Sequence, residues 1–361
     1  MKKLRIGIIG TGGIARAHAR MYAQFSDNAE VVAGADIVSG KAQTFLQEMN
    51  LPEAQAFDSA KEMLDTVKLD AVSVCTYAAT HAECAILALE HGLPVLLEKP
   101  MCVTLDEAKA IVAAEKKSGK FVTVGFQPRY DPNLRKIKEI IESGALGKVY
   151  YIQTGGGRPR NIPGNITFLT KETAGGGSCS DAGCYSLDLA LNSVGNPKPL
   201  TVSATLCTHF GNNPKYCASA DKFDVDDFSS AYIRLEGGIV LDYRMSWFMH
   251  MDTAGDFLFL GTKAGLKVKQ PGPVGAWDGP IGVLTLLQQD DNGTSCVPIE
   301  TVIPQEPQVD IWRFKIKDFI DAVIEGKNIA PIPTSQIIYN QAIIDGMMRS
   351  SALGREVECV F

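Results

Sequence analysis

The feature that most narrows what this chain can become is a short strand that breaks into glycines and reopens as a helix. Leu4-Arg5-Ile6-Gly7-Ile8-Ile9 runs straight into Gly10-Thr11-Gly12-Gly13-Ile14-Ala15. A short β-branched run ending in glycine fits a buried parallel strand. In this GxGxxA spacing Gly10 permits a tight turn, and Gly12 lets the backbone approach a ligand closely. Ala15 is small enough for strand and helix to pack. The helix then opens at Gly13 and Ile14, where free N–H groups and the helix dipole favour an anion. A lone glycine triplet is a weak signal. Here a second strand, at 30–35, ends on Asp36, the acid that a dinucleotide fingerprint places against the adenosine ribose. The charge of Asp36 repels a 2′-phosphate, and Ile37-Val38-Ser39 offers no arginine to hold one, so NAD is expected over NADP. Lys41 is the one nearby cation, and such a lysine is more often a solvated helix residue.

The alternation continues. Helical patterns at 14–25, 41–49, 59–65, 81–91 and 105–118 separate apolar runs at 70–75, 93–97 and 121–124. Strands alternating with helices of 10–15 residues imply a doubly wound parallel sheet, a Rossmann domain over residues 1–125. Beyond it, runs at 148–154, 200–206, 228–235, 238–247, 257–260 and 282–287 are rich in β-branched and aromatic residues between Gly, Pro and Asp. Helices are expected at 311–324 and 336–353. A second, α+β domain over 126–361 follows, and 361 residues suit two domains.

Charge and composition exclude several classes. A net charge of −6 disfavours nucleic acid as partner, and no run of about 18 apolar residues suggests a membrane span. The charged start, Lys2-Lys3-Leu4-Arg5, lacks the apolar stretch of a signal peptide. Nine scattered cysteines without a CxxC pair fit a reduced, cytoplasmic protein. His209 with Cys207 and Cys217 matches no zinc spacing, so no metal is expected.

Glu98-Lys99-Pro100 stands at the C-terminal end of the 93–97 strand, where open α/β sheets bind ligands. Thr76 and His81 follow the 70–75 strand, and Gly125-Phe126-Gln127-Pro128-Arg129-Tyr130 follows the last one. Further on comes a glycine-led helix, Gly175-Gly176-Gly177-Ser178-Cys179-Ser180-Asp181-Ala182-Gly183-Cys184-Tyr185. With the fingerprint, these residues make essentially the whole chain resemble the glucose–fructose oxidoreductase, inositol dehydrogenase and MocA family. The resemblance implies a second domain with a large, mostly antiparallel open sheet, assembling into a homo-dimer or homo-tetramer. It also implies metal-free, NAD(P)-linked hydride transfer at a sugar, glycoside or cyclitol hydroxyl, with cofactor contacts at Thr76, His81, Glu98, Lys99 and Gln127.

Oxidising an alcohol requires a hydride acceptor and a proton acceptor, and the protein supplies the second. The resemblance puts the Lys99 ammonium at the reacting hydroxyl, where partial burial would lower its pKa. Asp181 and Tyr185, four apart on one helix, share a face. Many family members carry histidine where this chain has Tyr185. An unperturbed tyrosine titrates near 10, so a neighbouring ammonium would have to stabilise its phenolate, and either Lys99 or Tyr185 remains open as base. Asp181 would bind substrate or orient Lys99; the plainer alternative is a helix cap beside a core tyrosine. Arg129, Arg158, Asn161 and His250 are candidate sugar contacts, whereas His18 and His91 read as structural. Three functions follow: a dehydrogenase with exchangeable NAD, an enzyme that recycles a retained NAD(H) within one turnover, and a non-catalytic NAD-binding regulator. Lys99, Asp181 and Tyr185 together argue against the last.

Overall fold

The computed structural model describes residues 3–157, 160–251, 255–269, 282–290 and 297–361. Strands β1 (Leu4–Ile9), β2 (Ala29–Ala35), β3 (Gln55–Phe57), β4 (Ala71–Val74), β5 (Val95–Leu97) and β6 (Val122–Val124) form one sheet in the order β3-β2-β1-β4-β5-β6. All its pairings are parallel. Helices α1 (Gly13–Ala23), α2 (Lys41–Glu48), α3 (Ala60–Thr66), α4 (His81–Glu90) and α5 (Leu105–Ser118) supply the crossovers. The order reverses between β1 and β4, so the crevice at their carboxyl ends is the ligand position of an open α/β sheet. This is the anticipated Rossmann architecture; only β3, three residues long, carries too little pattern to be expected.

A second unit begins at Pro128. Helices α6 (Pro132–Glu142), α7 (Lys171–Ala174), α8 (Ser178–Asp181) and α9 (Gly183–Ser193) accompany nine strands. These are β7 (Val149–Gln153), β8 (Pro199–Cys207), β9 (Phe228–Leu235), β10 (Ile239–Ser246), β11 (Phe257–Gly261), β12 (Ala264–Val268), β13 (Leu284–Gln288), β14 (Ile299–Ile303) and β15 (Val357–Glu358). The sheet order is β14-β13-β12-β11-β7-β10-β9-β8-β15, and β7 with β10 is its parallel pair among otherwise antiparallel neighbours. One face buries Ile152, Ile233, Leu241 and Tyr243. The other carries Tyr232, Tyr151, Gln153, Asp242 and Arg244. There Tyr151 donates to Asp242 at 3.0 Å, and Arg244 donates to Gln153 at 3.1 Å. The sequence does not announce β12, β14 or β15. β12 contains a glycine, β14 is almost wholly exposed and β15 is two residues long.

The helices α10 (Ile311–Ile324) and α11 (Thr334–Leu353) close the chain. From the sequence, everything after residue 125 belongs to the second domain. In the structure, Asp310–Ile338 joins the first unit, which otherwise ends at Gln127. The cause is apolar packing: Ile316, Phe319 and Ile320 share one core cluster with Ile6, Ile8, Tyr22 and Phe121. The Phe121 and Phe319 rings meet edge to face, 6.0 Å between centroids. Each such side chain contributes about 1.5–3 kcal/mol on burial.

Candidate active site

In the first unit, β1 ends at Gly10 with φ of +83°. A Cβ there would stand 2.7 Å from the Thr76 nitrogen, so both conformation and space demand glycine. Gly12 and Gly13 face open space instead, and a Cβ on either would meet nothing within 4 Å. Gly12 caps α1 without a side-chain hydrogen bond, leaving the first-turn N–H groups for an anion. Asp36, buried at the end of β2, accepts from the Thr11 nitrogen at 2.9 Å, the Thr11 hydroxyl at 3.0 Å and the Val38 nitrogen at 3.1 Å. Lys41 lies 2.8 Å from the same carboxylate. Burial pushes the Asp36 carboxyl up, but Lys41 and the other donors outweigh it and hold the group below the ordinary range. An open glycine turn, an uncapped helix start and an ionised acid at the second strand fit a dinucleotide.

Across the crevice, His81 is buried, with Nδ1 2.7 Å from the Pro100 carbonyl and Nε2 3.1 Å from that of Thr76. It thereby joins the turn after β4 to the turn after β5. Burial, ahead of its other neighbours, lowers its pKa and keeps the ring neutral, so one of the two carbonyls receives its proton. Gln127 is fully buried after β6. Lys99 is partly exposed, its backbone nitrogen donating to Glu98 at 3.3 Å. The Glu98 carboxylate turns into the protein, where it meets His18 at 2.8 Å and the Lys315 ammonium. It is not presented outward as a cofactor ligand.

In the second unit the glycine-led helix is two pieces, α8 and α9, parted at Ala182. Asp181 ends the first and Tyr185 lies in the opening turn of the second, so the pair does not share the face of one continuous helix. Nor does Asp181 cap the helix. Asp226 does, accepting from the Gly177 nitrogen at 2.8 Å, the Ser178 hydroxyl at 2.6 Å and the Cys179 nitrogen at 3.0 Å. A Cβ on Gly177 would overlap the Asp226 carbonyl, so the glycine permits this approach. Asp181 instead accepts from the Trp247 indole at 3.2 Å. The Trp247 carbonyl accepts from the Asn161 nitrogen at 2.9 Å, and Arg160 pairs with Phe248. Trp247 thus gathers Asp181 and Asn161. Exposed His250 sets its ring against Phe248 and Phe210. Tyr185 is buried along a cleft of about 210 Å³ that Arg129, Arg135 and Asp188 also line. Arg129 is committed to Asp188, with Nε at 2.9 Å and a terminal nitrogen at 2.6 Å. That fork spends the guanidinium on the protein itself rather than on a sugar. Arg158 lies outside the described residues.

Residues 4–126 match the family described as "Oxidoreductase family, NAD-binding Rossmann fold", and residues 134–267 match the "GFO/IDH/MocA C-terminal domain". The chain belongs to the GFO/IDH/MocA family. It is an NAD-binding dehydrogenase. Among curated relatives, the D-glucoside 3-dehydrogenase of Escherichia coli (strain K12) is 27% identical over 363 residues, 98% of this chain and 97% of that one. The inositol 2-dehydrogenase of Paracoccus denitrificans (strain Pd 1222) is 37% identical over 139 residues, 38% of this chain and 41% of its own length. Levoglucosan dehydrogenase in complex with NADH superposes with a TM-score of 0.81 at 22% identity, covering 99% of this chain and 100% of its own. At that identity the likeness concerns the fold.

Within this family frame, the residues that sequence reasoning missed are the supports. Asp226 and Asp227 had a visible mark, the acidic run Asp224-Val225-Asp226-Asp227 heading a strand. Asp227 accepts from the backbone nitrogens of His209, Phe210 and Gly211 at 2.9, 2.6 and 2.8 Å. Lys315 also had one, a lysine within the apolar stripe of α10 beside Ile316, Phe319 and Ile320. Among the described residues no cluster of His, Cys, Asp or Glu is placed to hold a metal. No described helix is long and apolar enough to cross a membrane.

Proposed function

We propose that the enzyme oxidises a secondary hydroxyl of a sugar, glycoside or cyclitol, with NAD exchanged at each turnover. The observation that carries the reading is the grouping of Asp181 and Asn161 on Trp247, in the unit that also buries the Tyr185 phenol. The end-to-end likeness to a relative named D-glucoside 3-dehydrogenase supports a glycoside, and the inositol 2-dehydrogenase relatives support a cyclitol.

Bound NAD supplies the hydride acceptor. The chain's own residues do the rest. The N–H groups at the start of α1 bind the pyrophosphate, and Asp36 accepts from the ribose. Asp181, its geometry held by the Trp247 indole, accepts from a substrate hydroxyl. Lys99 and Tyr185 act as one proton-transfer unit that withdraws the proton of the reacting hydroxyl. Tyr185→Phe removes one hydroxyl only, and both it and Lys99→Ala should lower kcat by about 10²–10⁴-fold while NAD still binds. The double variant should be little worse than the worse single one. Full activity of Tyr185→Phe across pH would make Lys99 the base alone.

A panel of sugars, inositols and glycosides read by NADH absorbance tests the substrate class. Protein that purifies with NAD(H) in place and turns over without consuming added NAD would replace this reading with that of a retained cofactor. The outer sheet face of Tyr232, Tyr151, Asp242 and Arg244 supports a homo-dimer or homo-tetramer, because tyrosine and arginine are enriched at interfaces. Light scattering that shows monomer alone at micromolar concentration refutes it.

A further inference from the structure

Lys315 is a lysine in the wrong place for a lysine. Its side chain is 2% exposed, on a helix whose other buried residues are apolar, and lysine is almost never buried unless paired. Its ammonium meets the Glu98 carboxylate, stands 3.1 Å from His18 Nε2 and lies 4.3 Å from the centre of the Trp312 ring. The environment of Glu98 is otherwise closed. His18 Nε2 is 2.8 Å from Oε1, and a Cβ on Gly125 would stand 2.9 Å from the same oxygen. His81 and the Cys75 thiol are the other titratable groups near it, and burial pushes that thiol far up, so it stays neutral. The second carboxylate oxygen accepts from the Lys99 backbone nitrogen.

His18 settles the charge count. Its Nδ1 is buried without a partner, so a proton there would be stranded. The ring is therefore neutral, and burial, with Lys315 next, lowers its pKa. One carboxylate and one ammonium remain. A buried ion pair of this kind is often no more stable than apolar residues of the same volume, because both ions lose their water. Stability is thus a poor reason for Lys315, and placement is a better one.

We propose that Lys315 is the positioning residue of the Glu98-Lys99-Pro100 turn: its ammonium holds the Glu98 carboxylate, and that carboxylate fixes the backbone from which Lys99 reaches the substrate hydroxyl. The inference rests on the reading of Lys99 as a proton-transfer group. Lys315, 2% exposed and engaged with Glu98, acts through that carboxylate.

Three variants of the full chain test it: Lys315→Met, Lys315→Met combined with Glu98→Gln, and Lys99→Ala. In Lys315→Met the carboxylate keeps the His18 ring against it while the ammonium that opposed protonation is gone, so the His18 ring protons should titrate at higher pH in NMR spectra. A lost placement costs about 10²-fold in rate, so kcat should fall by that order while KM for NAD changes little. The pH profile of Lys99 acetylation, read by mass spectrometry, should shift as well. The double variant has no stranded charge and should recover its melting temperature, yet keep the low kcat and the shifted Lys99 profile. Recovery of kcat along with melting temperature would mean that Lys315 serves stability alone and would overturn the inference. So would an unchanged Lys99 profile in both Lys315 variants. Wild-type kcat in Lys99→Ala would instead sink the proton-transfer reading, and the Lys99 profile, which needs no turnover, would still decide on Lys315.

Discussion

Glu98 in the first unit and the Asp226–Asp227 pair in the second are buried by opposite means. In the first, Glu98 is neutralised by a side chain 217 residues away, Lys315. In the second, Asp226 and Asp227 are satisfied chiefly by backbone N–H groups at the start of α8 and in the turn 209–211. A side-chain cation can be deleted by mutation; a backbone amide cannot. The first device couples distant segments of sequence, and the second fixes the course of the chain beside it. In the proposed reading the first device aims Lys99; the second fixes the start of α8, the helix that ends on Asp181.

That contrast is sharpest in rescue experiments. Asp226→Ala strands two backbone amides, a hydroxyl and a thiol, and buried donors left unmade cost about 1–3 kcal/mol each. A loss of roughly 4 kcal/mol in denaturant unfolding is expected, the largest effect here, and a second change, Ser178→Ala, should recover little of it. Glu98→Ala strands Lys315 and should cost about 3–5 kcal/mol, most of which a second change, Lys315→Met, should return. Equal rescue in both pairs would erase the distinction.

The same contrast explains what the sequence reveals. Local devices are legible. Helix α5 lies at 105–118 as its pattern predicts, and the structure bounds it by local devices, a reciprocal capping box of Thr104 and Glu107 and Gly119 with φ of +67°. The glycine turn at Gly10 and the acid at Asp36 lie within one βαβ unit and point to the cofactor directly. Long-range devices are not legible. The reading of 175–185 as one helix fails at Ala182, and the cap that organises the start of α8 comes from Asp226, 49 residues on from Gly177 in sequence. Helix α10 is also found at 311–324, yet its apolar stripe says only that it packs. It does not say that it packs with Ile6 and Tyr22. Arg129 looks like a free sugar donor until Asp188 is placed beside it.

Asp36 combines the two devices, since it is held by backbone and hydroxyl donors from Thr11 and Val38 and by the ammonium of Lys41. Asp36→Ala should change the choice of cofactor. Repulsion of a 2′-phosphate disappears together with a ribose acceptor, so the preference for NAD over NADP should narrow by about tenfold, or ~1.4 kcal/mol. Steady-state kcat/KM with each cofactor measures it. A wild-type enzyme that uses NADP as well as NAD would remove Asp36 from that role.

The effect that is smallest per residue concerns acid, and it should divide the units. Three of the five histidines lie in the first unit. For His18 and His81, burial is the largest cause of a lowered pKa. A depressed folded value means stability that is complete above the unfolded pKa, about 6.5, and is lost as pH falls towards the folded one, because the unfolded chain binds protons that the fold refuses. His91 has the opposite sign, raised chiefly by its hydrogen bond to Asp65. Its support is present below about 6.5, but the pair is largely exposed and screened, so it offsets little. In the second unit both histidines, His209 and His250, are exposed. Lowering pH from 7.5 to 5.5 should then cost the first unit about 1 kcal/mol for each buried histidine. Hydrogen exchange at the two pH values, corrected for intrinsic rates, should show protection falling in peptides of α1 and α4 before those of β9 and β10. His18→Asn should flatten the acid slope of the first unit by about half if the ring is neutral as its unpartnered Nδ1 requires. Equal loss in both units would mean that the acid sensitivity is a property of net charge rather than of these two buried rings.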